Sequence, residues 1–415
     1  MHIMLPYGHA AIAYEAPEAR VIASGIHQLH PEADGQMLVR RAMAAPYGGR
    51  TLASLAAGKK TACIIISDHT RPVPSRDILP QMLRELREGN PEIDVTLLVA
   101  TGCHRGTTKE ELRQKLGAIA DTEMIVVHDA FDAEKNRNIG VLPSGAPLII
   151  DRIAAETELL VAEGFIEPHF FAGFSGGRKS VLPGICARTT VLGNHCGAFI
   201  NDEHARTGIL DGNPIHRDML AAARMAKLAY IVNVVLNEQK QTAAVFAGDC
   251  ETAHMAGVRF LRQYCQVSAV PGDIVITTNG GAPLDQNLYQ CVKGLSAAEA
   301  TAKPGAAIIL CAEMADGVGG EQFYRDMKTC ETPAQLFRQF ASTPQDETLQ
   351  DQWQTQILCR ILMKHRVILV TRPQMRRSIE EMKMEYAPTL TQALEMAGPG
   401  EITVVPDGVS TMICG

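Results

Sequence analysis

The sequence predicts an α/β protein of two lobes, each built on a largely parallel sheet that is flanked by helices. Short apolar runs that end in Gly, Asp or Asn alternate with amphipathic stretches along the chain. Many of these runs are too continuously apolar for a sheet with one wet face, which is typical of strands covered on both faces. The chain also has 415 residues, and single domains usually hold roughly 100–200 residues.

The apolar runs are predicted strands. In chain order they are 63–67, 95–101, 124–128, 148–150, 159–162, 228–236, 274–277, 306–310, 366–371 and 402–405. Residues 74–88 and 352–363 repeat apolar side chains at helical spacing and are predicted helices. A break at 270–273 separates a helical stretch from a new strand. We therefore predict an N-terminal domain of residues 1–268 and a C-terminal domain of residues 269–415, with the active site in the cleft between them.

Composition excludes several classes of protein. The chain has 39 Lys+Arg against 46 Asp+Glu, a net charge of −7, so it lacks the basic field of a nucleic-acid-binding protein. No apolar run reaches the ~18 residues of a membrane span, and the N-terminus lacks the apolar run of a signal peptide. The 11 cysteines form no Cys-x-x-Cys pair, which argues against a zinc cluster and favours reduced thiols. We predict a cytoplasmic protein without a nucleic-acid or membrane partner.

Polar residues collect directly after predicted strands, where open α/β sheets bind their ligands. The first cluster contains Asp68 and Arg71, whose planar guanidinium suits a carboxylate or a phosphate. An Arg–Asp pair that only orders the loop is the alternative. The second cluster contains His104, which could accept a proton near neutral pH or could be a hydrogen-bonded structural residue.

The densest cluster spans 167–195 and combines histidines with cations and a glycine-rich turn. Its candidate groups are His169, Arg178, Lys179 and His195. Glycines let the backbone approach an anion closely, and the amides that follow them can cradle phosphate. A G-x-S-x-G string surrounds Ser175, but no uninterrupted strand precedes it and Pro183 breaks the helix that should follow, which disfavours a hydrolase. Arg178 stands before Lys179, so the spacing of a phosphate-binding loop is not met.

The second lobe opens with a further polar cluster. Tyr289, Gln290 and Lys293 lie on a short predicted helix. Tyr289 and Lys293 are four residues apart and share a helix face, so together they can bind an oxyanion. Trp353 begins the helix predicted at 352–363 and, taken alone, is a core or interface aromatic.

These motifs, in this order, resemble the lactate racemase family, whose members use a nickel-pincer nucleotide cofactor. The resemblance runs from end to end and is specific, because several unrelated short strings recur in one order. The strings are Asp68-His69-Thr70-Arg71-Pro72, Gly102-Cys103-His104-Arg105, His169-Phe170-Phe171-Ala172-Gly173-Phe174-Ser175-Gly176-Gly177-Arg178-Lys179-Ser180, Pro283-Leu284-Asp285-Gln286-Asn287 and Trp353.

The resemblance implies a role for each candidate residue. Lys179 would carry the nickel-pincer nucleotide, attached through a thioamide, and His195 would be the protein ligand of the nickel. His104 and His169 would be the acid/base residues, one on each face of the substrate's α-carbon. The cofactor would be positioned by Asp68, Ser175, Gly176, Gly177, Arg178 and Ser180, and the substrate would be bound by Arg71, Lys293, Gln290, Tyr289 and Trp353.

The implied reaction is inversion at C2 of a 2-hydroxy acid. The Cα–H is too weakly acidic for a histidine to remove as a proton, but it can leave as hydride while a base takes the hydroxyl proton. Return of the hydride to the other face of a planar 2-keto acid would complete the inversion, so each face needs its own base. The implied partners are the small-molecule substrate and the enzymes that synthesise the cofactor.

The substrate and two other functions stay open at this point. Lactate and a polar or sugar acid such as an aldonate are both candidate substrates, because the segment 201–204 is rich in polar residues. The first alternative function is a non-catalytic binder or sensor of 2-hydroxy acids on the same fold. The second is a serine hydrolase that uses Ser175.

Overall fold

The structure is a computed structural model that describes residues 2–15 and 19–414. Its strands are β1 (His2–Tyr7), β2 (Ala10–Glu15), β3 (Arg20–Val21), β4 (Thr61–Ser67), β5 (Asp94–Ala100), β6 (Met124–Val127), β7 (Asn136–Val141), β8 (Pro147–Asp151), β9 (Leu159–Phe165), β10 (Pro168–His169), β11 (Gly173–Phe174), β12 (Leu228–Leu236), β13 (Thr242–Gly248), β14 (Gln266–Ser268), β15 (Gly272–Thr278), β16 (Ala302–Cys311), β17 (Arg366–Val370), β18 (Glu385–Ala387), β19 (Ile402–Val405) and β20 (Met412–Cys414).

The α-helices are α1 (Gly35–Ala44), α2 (Leu52–Ala56), α3 (Ser75–Gly89), α4 (Lys109–Leu116), α5 (Ile119–Thr122), α6 (Arg152–Glu156), α7 (Arg188–Asn194), α8 (Gly197–Asn201), α9 (Pro214–Met225), α10 (Cys250–Cys265), α11 (Leu288–Glu299), α12 (Glu321–Thr329), α13 (Pro333–Ser342), α14 (Gln352–Leu362), α15 (Arg376–Glu381) and α16 (Leu390–Ala397). Short 3-10 helices span Gly25–Gln28, Gly177–Ser180, Gln345–Glu347 and Pro373–Met375.

The first large sheet has the strand order β13-β12-β9-β4-β5-β6. All neighbours in it are parallel except β12 and β13. The chain builds outwards from β4 through β5 to β6 and then returns to the other side of β4 with β9. The order therefore reverses between β4 and β9, and the crevice at the carboxyl ends of such strands is where doubly wound sheets bind ligands.

Strand β4 explains why this sheet is covered on both faces. Its side chains alternate between two hydrophobic clusters, with Cys63 and Ile65 in one and Ile64 and Ile66 in the other. All four are almost fully buried. Burying one isoleucine side chain contributes ~1.5–3 kcal/mol, so the continuously apolar run stabilises a sheet between two layers of helices.

The second large sheet has the strand order β18-β17-β16-β15-β19-β3, and all of its neighbours are parallel. The short strand β3 comes from the start of the chain and pairs with β19 near its end. The hairpin of β1 and β2 also belongs to this part of the fold, because Ile3 and Leu5 pack in one hydrophobic cluster with Ile274 and Ile276 of β15. The domain boundary drawn after residue 268 stays a prediction.

The predicted α/β class with largely parallel sheets is confirmed, and each predicted strand is present. Strands β12 and β19 have the predicted bounds, and the others have shifted ends. Strand β9 is longer than the predicted 159–162 because Glu163 continues it in spite of its charge. The Glu163 carboxylate is buried and accepts a hydrogen bond from the Ser75 hydroxyl at 2.7 Å. The helices predicted at 74–88 and 352–363 correspond to α3 and α14. Of the helices that the structure describes, none has the length and apolarity to cross a bilayer.

Candidate active site

A cavity of about 460 Å³ lies between the two halves of the fold. On one side it is lined by residues at the carboxyl ends of β4, β5 and β9 and by the turn that follows β9. On the other side it is lined by the start of α11 and by residues 350–354, where α14 begins. The cavity thus occupies the crevice at the reversal of strand order, as this topology predicts.

Most of the predicted site residues meet in this cavity. Those that line it are Asp68, Arg71, His104, His169, Ser175, Gly176, Lys179, Ser180, His195, Tyr289, Gln290, Lys293 and Trp353. Gly177 and Arg178 are not among its lining residues; both are buried behind the glycine-rich turn. The polar segment 201–204, which favoured a sugar acid as substrate, also does not line the cavity.

His104 is held by a buried carboxylate. Its Nδ1 lies 2.7 Å from Asp68 Oδ2, and Asp68 Oδ1 accepts hydrogen bonds from the backbone and hydroxyl of Thr70. Burial alone would raise the pKa of Asp68, but the hydrogen bond and charge of His104 lower it to about 2. An ionised Asp68 fixes the proton of His104 on Nδ1, so Nε2 remains to exchange a proton with a ligand.

His169 has a different environment. It lies in the turn where β10 pairs with β11, and its Nδ1 accepts a hydrogen bond from the backbone N–H of Ala172 at 3.3 Å. Its ring stacks on Phe170 and meets the edge of Phe171, with centroid distances of 5.1 and 4.5 Å. Burial, and after it the charges of neighbouring lysines and Arg71, hold the pKa of His169 well below its usual value. The neutral ring therefore carries its proton on Nε2.

Gly173 makes that turn possible. Its φ is +77°, a conformation that side chains with a Cβ rarely adopt. A Cβ at this position would also lie 2.4 Å from the carbonyl oxygen of Ile209. The glycine therefore lets β11 fold back against β10, which puts His169 and Lys179 on the same cavity.

Lys179 belongs to the 3-10 helix that follows the turn. Burial, the adjacent Arg178 and then Arg71 hold the pKa of Lys179 well below its usual value, while Glu167 opposes them. A lysine whose pKa is lowered in this way spends more time as a neutral amine, which is the nucleophilic form.

His195 follows α7 directly as its C-cap. Its ring is buried between Phe171 and Trp353, at centroid distances of 5.1 and 5.0 Å. Among the described residues its Nδ1 has no hydrogen-bond partner. Burial, and then Lys179, lower the pKa of His195 to about 3. The side chain is therefore a neutral imidazole, the form that binds metals.

The opposite wall comes from α11 and the loop before α14. Tyr289, Gln290 and Lys293 are all in the first two turns of α11, and the Tyr289 hydroxyl donates to Asp351 Oδ1 at 2.9 Å. Burial, and then the charge of Arg71, lower the pKa of Lys293 to about 8. The cavity thus gathers cations in a chain whose net charge is −7, so the bulk charge says nothing about the sign of the ligand.

Sequence reasoning missed several polar residues of the cavity. Glu163 and Glu167 line it beside the predicted residues, as do Asp351 and Gln354 near Trp353. Glu163 had a usable signal, because a charged residue within a buried apolar strand needs a partner or a function. The pairing of Asp68 with His104 was also missed; the resemblance assigned Asp68 to the cofactor.

Comparison with known proteins gives two family matches. The family model of the lactate racemase N-terminal domain matches residues 7–208, and that of the lactate racemase C-terminal domain matches residues 267–413. Together they span both walls of the cavity.

Curated relatives match over nearly the whole chain. A lactate racemase of Thermoanaerobacterium thermosaccharolyticum is 48% identical over 421 residues, and one of Lactiplantibacillus plantarum is 47% identical over 420 residues. In both comparisons 99% of this chain and 99% of the relative are covered.

Solved structures agree with the sequence comparison. The lactate racemase apoprotein of T. thermosaccharolyticum superposes with a TM-score of 0.97 at 47% identity, and both chains are covered completely. A Thermotoga maritima protein superposes with a TM-score of 0.67 at 18% identity, covering 93% of this chain and 100% of that one. The second match supports the fold alone.

Proposed function

The chain belongs to the lactate racemase family and is a racemase, an isomerase, and from this premise we propose that it interconverts the two enantiomers of lactate. The observation that carries the proposal is that His104, His169, Lys179 and His195 line one cavity. Two histidines with different proton positions can serve the two enantiomers, and the remaining pair can hold a cofactor.

We infer that the cavity binds a nickel-pincer nucleotide, because the residues present fit one. Buried His195 offers an imidazole nitrogen without a partner among the described residues. No three His, Cys, Asp or Glu side chains converge on a metal position in 2–15 and 19–414, so the other donors would have to come from the cofactor. Lys179, with its lowered pKa, fits covalent attachment, and the glycine-rich turn beside Ser175 and Ser180 fits the phosphate.

When bound, that group supplies a centre that accepts the Cα hydrogen as hydride and returns it. The chain's own residues handle the proton and the carboxylate. Arg71 and Lys293 attract the carboxylate, and Gln290 and Tyr289 orient it. His104 takes the hydroxyl proton through Nε2, and Asp68 stabilises the imidazolium that results. When the carbonyl oxygen of the 2-keto acid faces His169, its proton must come from His169 as an imidazolium, which this step returns to the neutral form. A substrate carboxylate between Arg71 and Lys293 offsets two of the charges that lower the pKa of His169. For the other enantiomer the two roles exchange, so one histidine is neutral and the other is protonated at the start of each turnover.

Three features support lactate over a larger acid. The polar segment 201–204 lies away from the cavity lining. Phe170 and Phe171 form an apolar wall around His169, which suits a methyl group. Glu167 and Asp351 line the cavity, and they would repel a second carboxylate. An aldonate is the competing substrate in the test below.

The test is a screen of purified single enantiomers with protein from a host that makes the cofactor. Chiral chromatography should follow the conversion of each lactate enantiomer to the racemate, with little solvent deuterium entering Cα. If lactate keeps its configuration while an aldonate is epimerised, the substrate is the aldonate. If every 2-hydroxy acid keeps its configuration at C2 although the cofactor is present, the proposal is overturned.

We also propose that the enzymes which synthesise the cofactor are partners of this chain and that both work in the cytoplasm. The 11 free cysteine thiols are in keeping with a reducing compartment. Intact mass should rise by the cofactor adduct only when those enzymes are co-expressed, and peptide mapping should locate the adduct at Lys179. If the adduct forms equally without co-expression of the cofactor-synthesis enzymes, those enzymes are not partners of this chain.

Nothing in the geometry favours the hydrolase. The Ser175 hydroxyl donates to Glu167 at 3.5 Å, and a single 3-10 turn, Gly177–Ser180, follows it where a nucleophile elbow needs a long helix. The non-catalytic sensor is not retained either, because the family relationship makes the chain an enzyme.

A further inference from the structure

Arg178 is the most deeply buried cation next to the cavity, and the proposed mechanism does not use it. Its side chain is 1% exposed, and no carboxylate pairs with it among the residues that the structure describes. A buried cation without an ionic partner is costly unless its N–H groups are satisfied in another way.

Backbone carbonyls of the preceding turn satisfy it. The guanidinium donates to the carbonyl oxygens of Ala172 at 2.7 Å, Phe174 at 2.6 Å and Gly176 at 3.2 Å. Its Nε donates to Nδ1 of His216 at 3.0 Å. One side chain therefore binds three carbonyls within five consecutive residues of the glycine-rich turn.

A second buried side chain completes the arrangement. His254 Nε2 lies 2.9 Å from the carbonyl oxygen of Ser175. Burial, and then the charge of Arg178, hold the pKa of His254 well below its usual value, so the ring is neutral and donates this bond. A Cβ on Gly177 would lie 2.7 Å from the His254 ring, so glycine is needed for this close packing.

These bonds orient the turn relative to the cavity. Ser175, Gly176, Lys179 and Ser180 line the cavity, while the carbonyl oxygens of the turn are directed to donors buried behind it. Carbonyl oxygens repel anions, and backbone N–H and hydroxyl groups attract them. Because the carbonyl oxygens of the turn are directed away from the cavity, and an unneutralised guanidinium lies behind the turn, this wall favours binding of an anion.

We propose that Arg178 is a positioning residue that shapes the glycine-rich turn for the phosphate of a nucleotide, without touching that phosphate itself. The inference rests on the proposed function for the identity of the nucleotide. Through the same contacts Arg178 fixes the start of the 3-10 helix on which Lys179 stands. This differs from the role of direct cofactor contact that the sequence predicted for Arg178.

The experiment measures binding of inorganic phosphate to the cofactor-free full-length chain by calorimetry, together with its thermal midpoint. Arg178→Met removes the charge and the donors and should weaken phosphate binding by ~10-fold or more. Arg178→Lys keeps the charge and some donors and should restore part of the loss. In co-expression with the cofactor-synthesis enzymes, the mass adduct on Lys179 should fall in the same order.

Arg360→Met is the matched control. Arg360 is also buried, but it pairs with Glu299 in the other half of the fold. This variant should lower the thermal midpoint and leave phosphate affinity unchanged. If Arg178→Met does not fold, His254→Ala should still weaken phosphate binding, because it releases the Ser175 carbonyl and keeps the three carbonyl bonds of Arg178.

Three results would overturn the proposal: no phosphate binding by the parent chain, unchanged affinity in a folded Arg178 or His254 variant, or an equal loss in the Arg360 control. These results are independent of the racemase proposal. A chain that binds phosphate through this turn but inverts no acid would overturn only the proposed function.

Discussion

The two histidines of the cavity share a proposed task, but their surroundings are opposite. His104 is partly open to solvent, with 46% of its side chain exposed, and its Nδ1 contacts the carboxylate of Asp68. His169 is packed against two phenylalanines, receives a backbone N–H on Nδ1 and faces Lys179 and Lys293. A carboxylate therefore lies against one ring, whereas aromatic rings and cations surround the other.

A racemase therefore need not be built symmetrically to act on two mirror-image substrates. Both histidines line the cavity, but Nδ1 of His104 contacts a carboxylate and Nδ1 of His169 accepts a backbone N–H. The proton must therefore be redistributed between turnovers, and each half of the reaction depends on different neighbours.

The largest expected effect comes from removing either ring. His104→Ala and His169→Ala should each lower kcat by ~10²–10⁴-fold, as for a lost general acid or base. Single-turnover formation of 2-keto acid from each enantiomer would distinguish the two variants, because each variant should lose this step with a different enantiomer. If both variants lose this step with the same enantiomer, the two histidines do not serve different enantiomers.

Asp68→Asn should have the next largest effect. A hydrogen bond to a charged group contributes ~1.5–3 kcal/mol, so kcat should fall ~10–100-fold. The loss should be confined to the half-reaction that His104 serves. Thr70→Val is the control, since it removes one hydroxyl bond to Asp68 and keeps the carboxylate. Equal losses with both enantiomers would assign Asp68 to cofactor binding, as the sequence predicted.

The pH dependence should report Lys293 rather than His169. The pKa of Lys293 is about 8, so its ammonium is present below this pH and is lost as the pH rises through it. KM for an anionic substrate should therefore be flat below pH 8 and rise above it, while neutral His169 contributes nothing in this range. In Lys293→Arg the cation persists, and the rise should disappear. A rise that persists there would point to another group.

Tyr289→Phe should have the smallest effect. A neutral hydrogen bond contributes ~0.5–1.5 kcal/mol, so KM should rise ~2–10-fold. Because Tyr289 bonds Asp351 and neither histidine, the rise should be equal for both enantiomers. An effect on only one of them would mean that this wall takes part in the asymmetry.

The fold class and most of the residues that line the cavity could be predicted from the sequence, whereas the contacts among those residues could not. Continuous apolar runs predict covered strands because burial on both faces is a local property of sequence. The bond between Asp68 and His104 joins residues 36 apart, and it depends on how the loops after β4 and β5 converge. Local periodicity carries no information on that convergence.

Arg178 is a predicted cofactor residue that the structure buries away from the cavity lining. A cation within a glycine-rich string favours a phosphate contact, but in irregular backbone the side of the chain on which a residue falls is set by the dihedral angles of the glycines. Gly176 and Gly177 both have positive φ, and Arg178 is directed into the interior. The sequence predicted that this turn belongs to the site, and the turn lines the cavity, but the pattern does not tell which face of the turn each side chain occupies.

The pairing of β3 with β19 has a consequence for biosynthesis. Arg20 and Thr403 are neighbours in the second sheet although 383 residues separate them. The sheet around β4 uses only strands from the middle of the chain, so it can form while the ribosome is still translating the rest. The second sheet must wait until β19 has been translated and must then close a very long loop, which makes the pairing of β3 with β19 the slow step. A nascent chain stalled before β19 should therefore resist protease in its first half while β3 still lacks its partner strand.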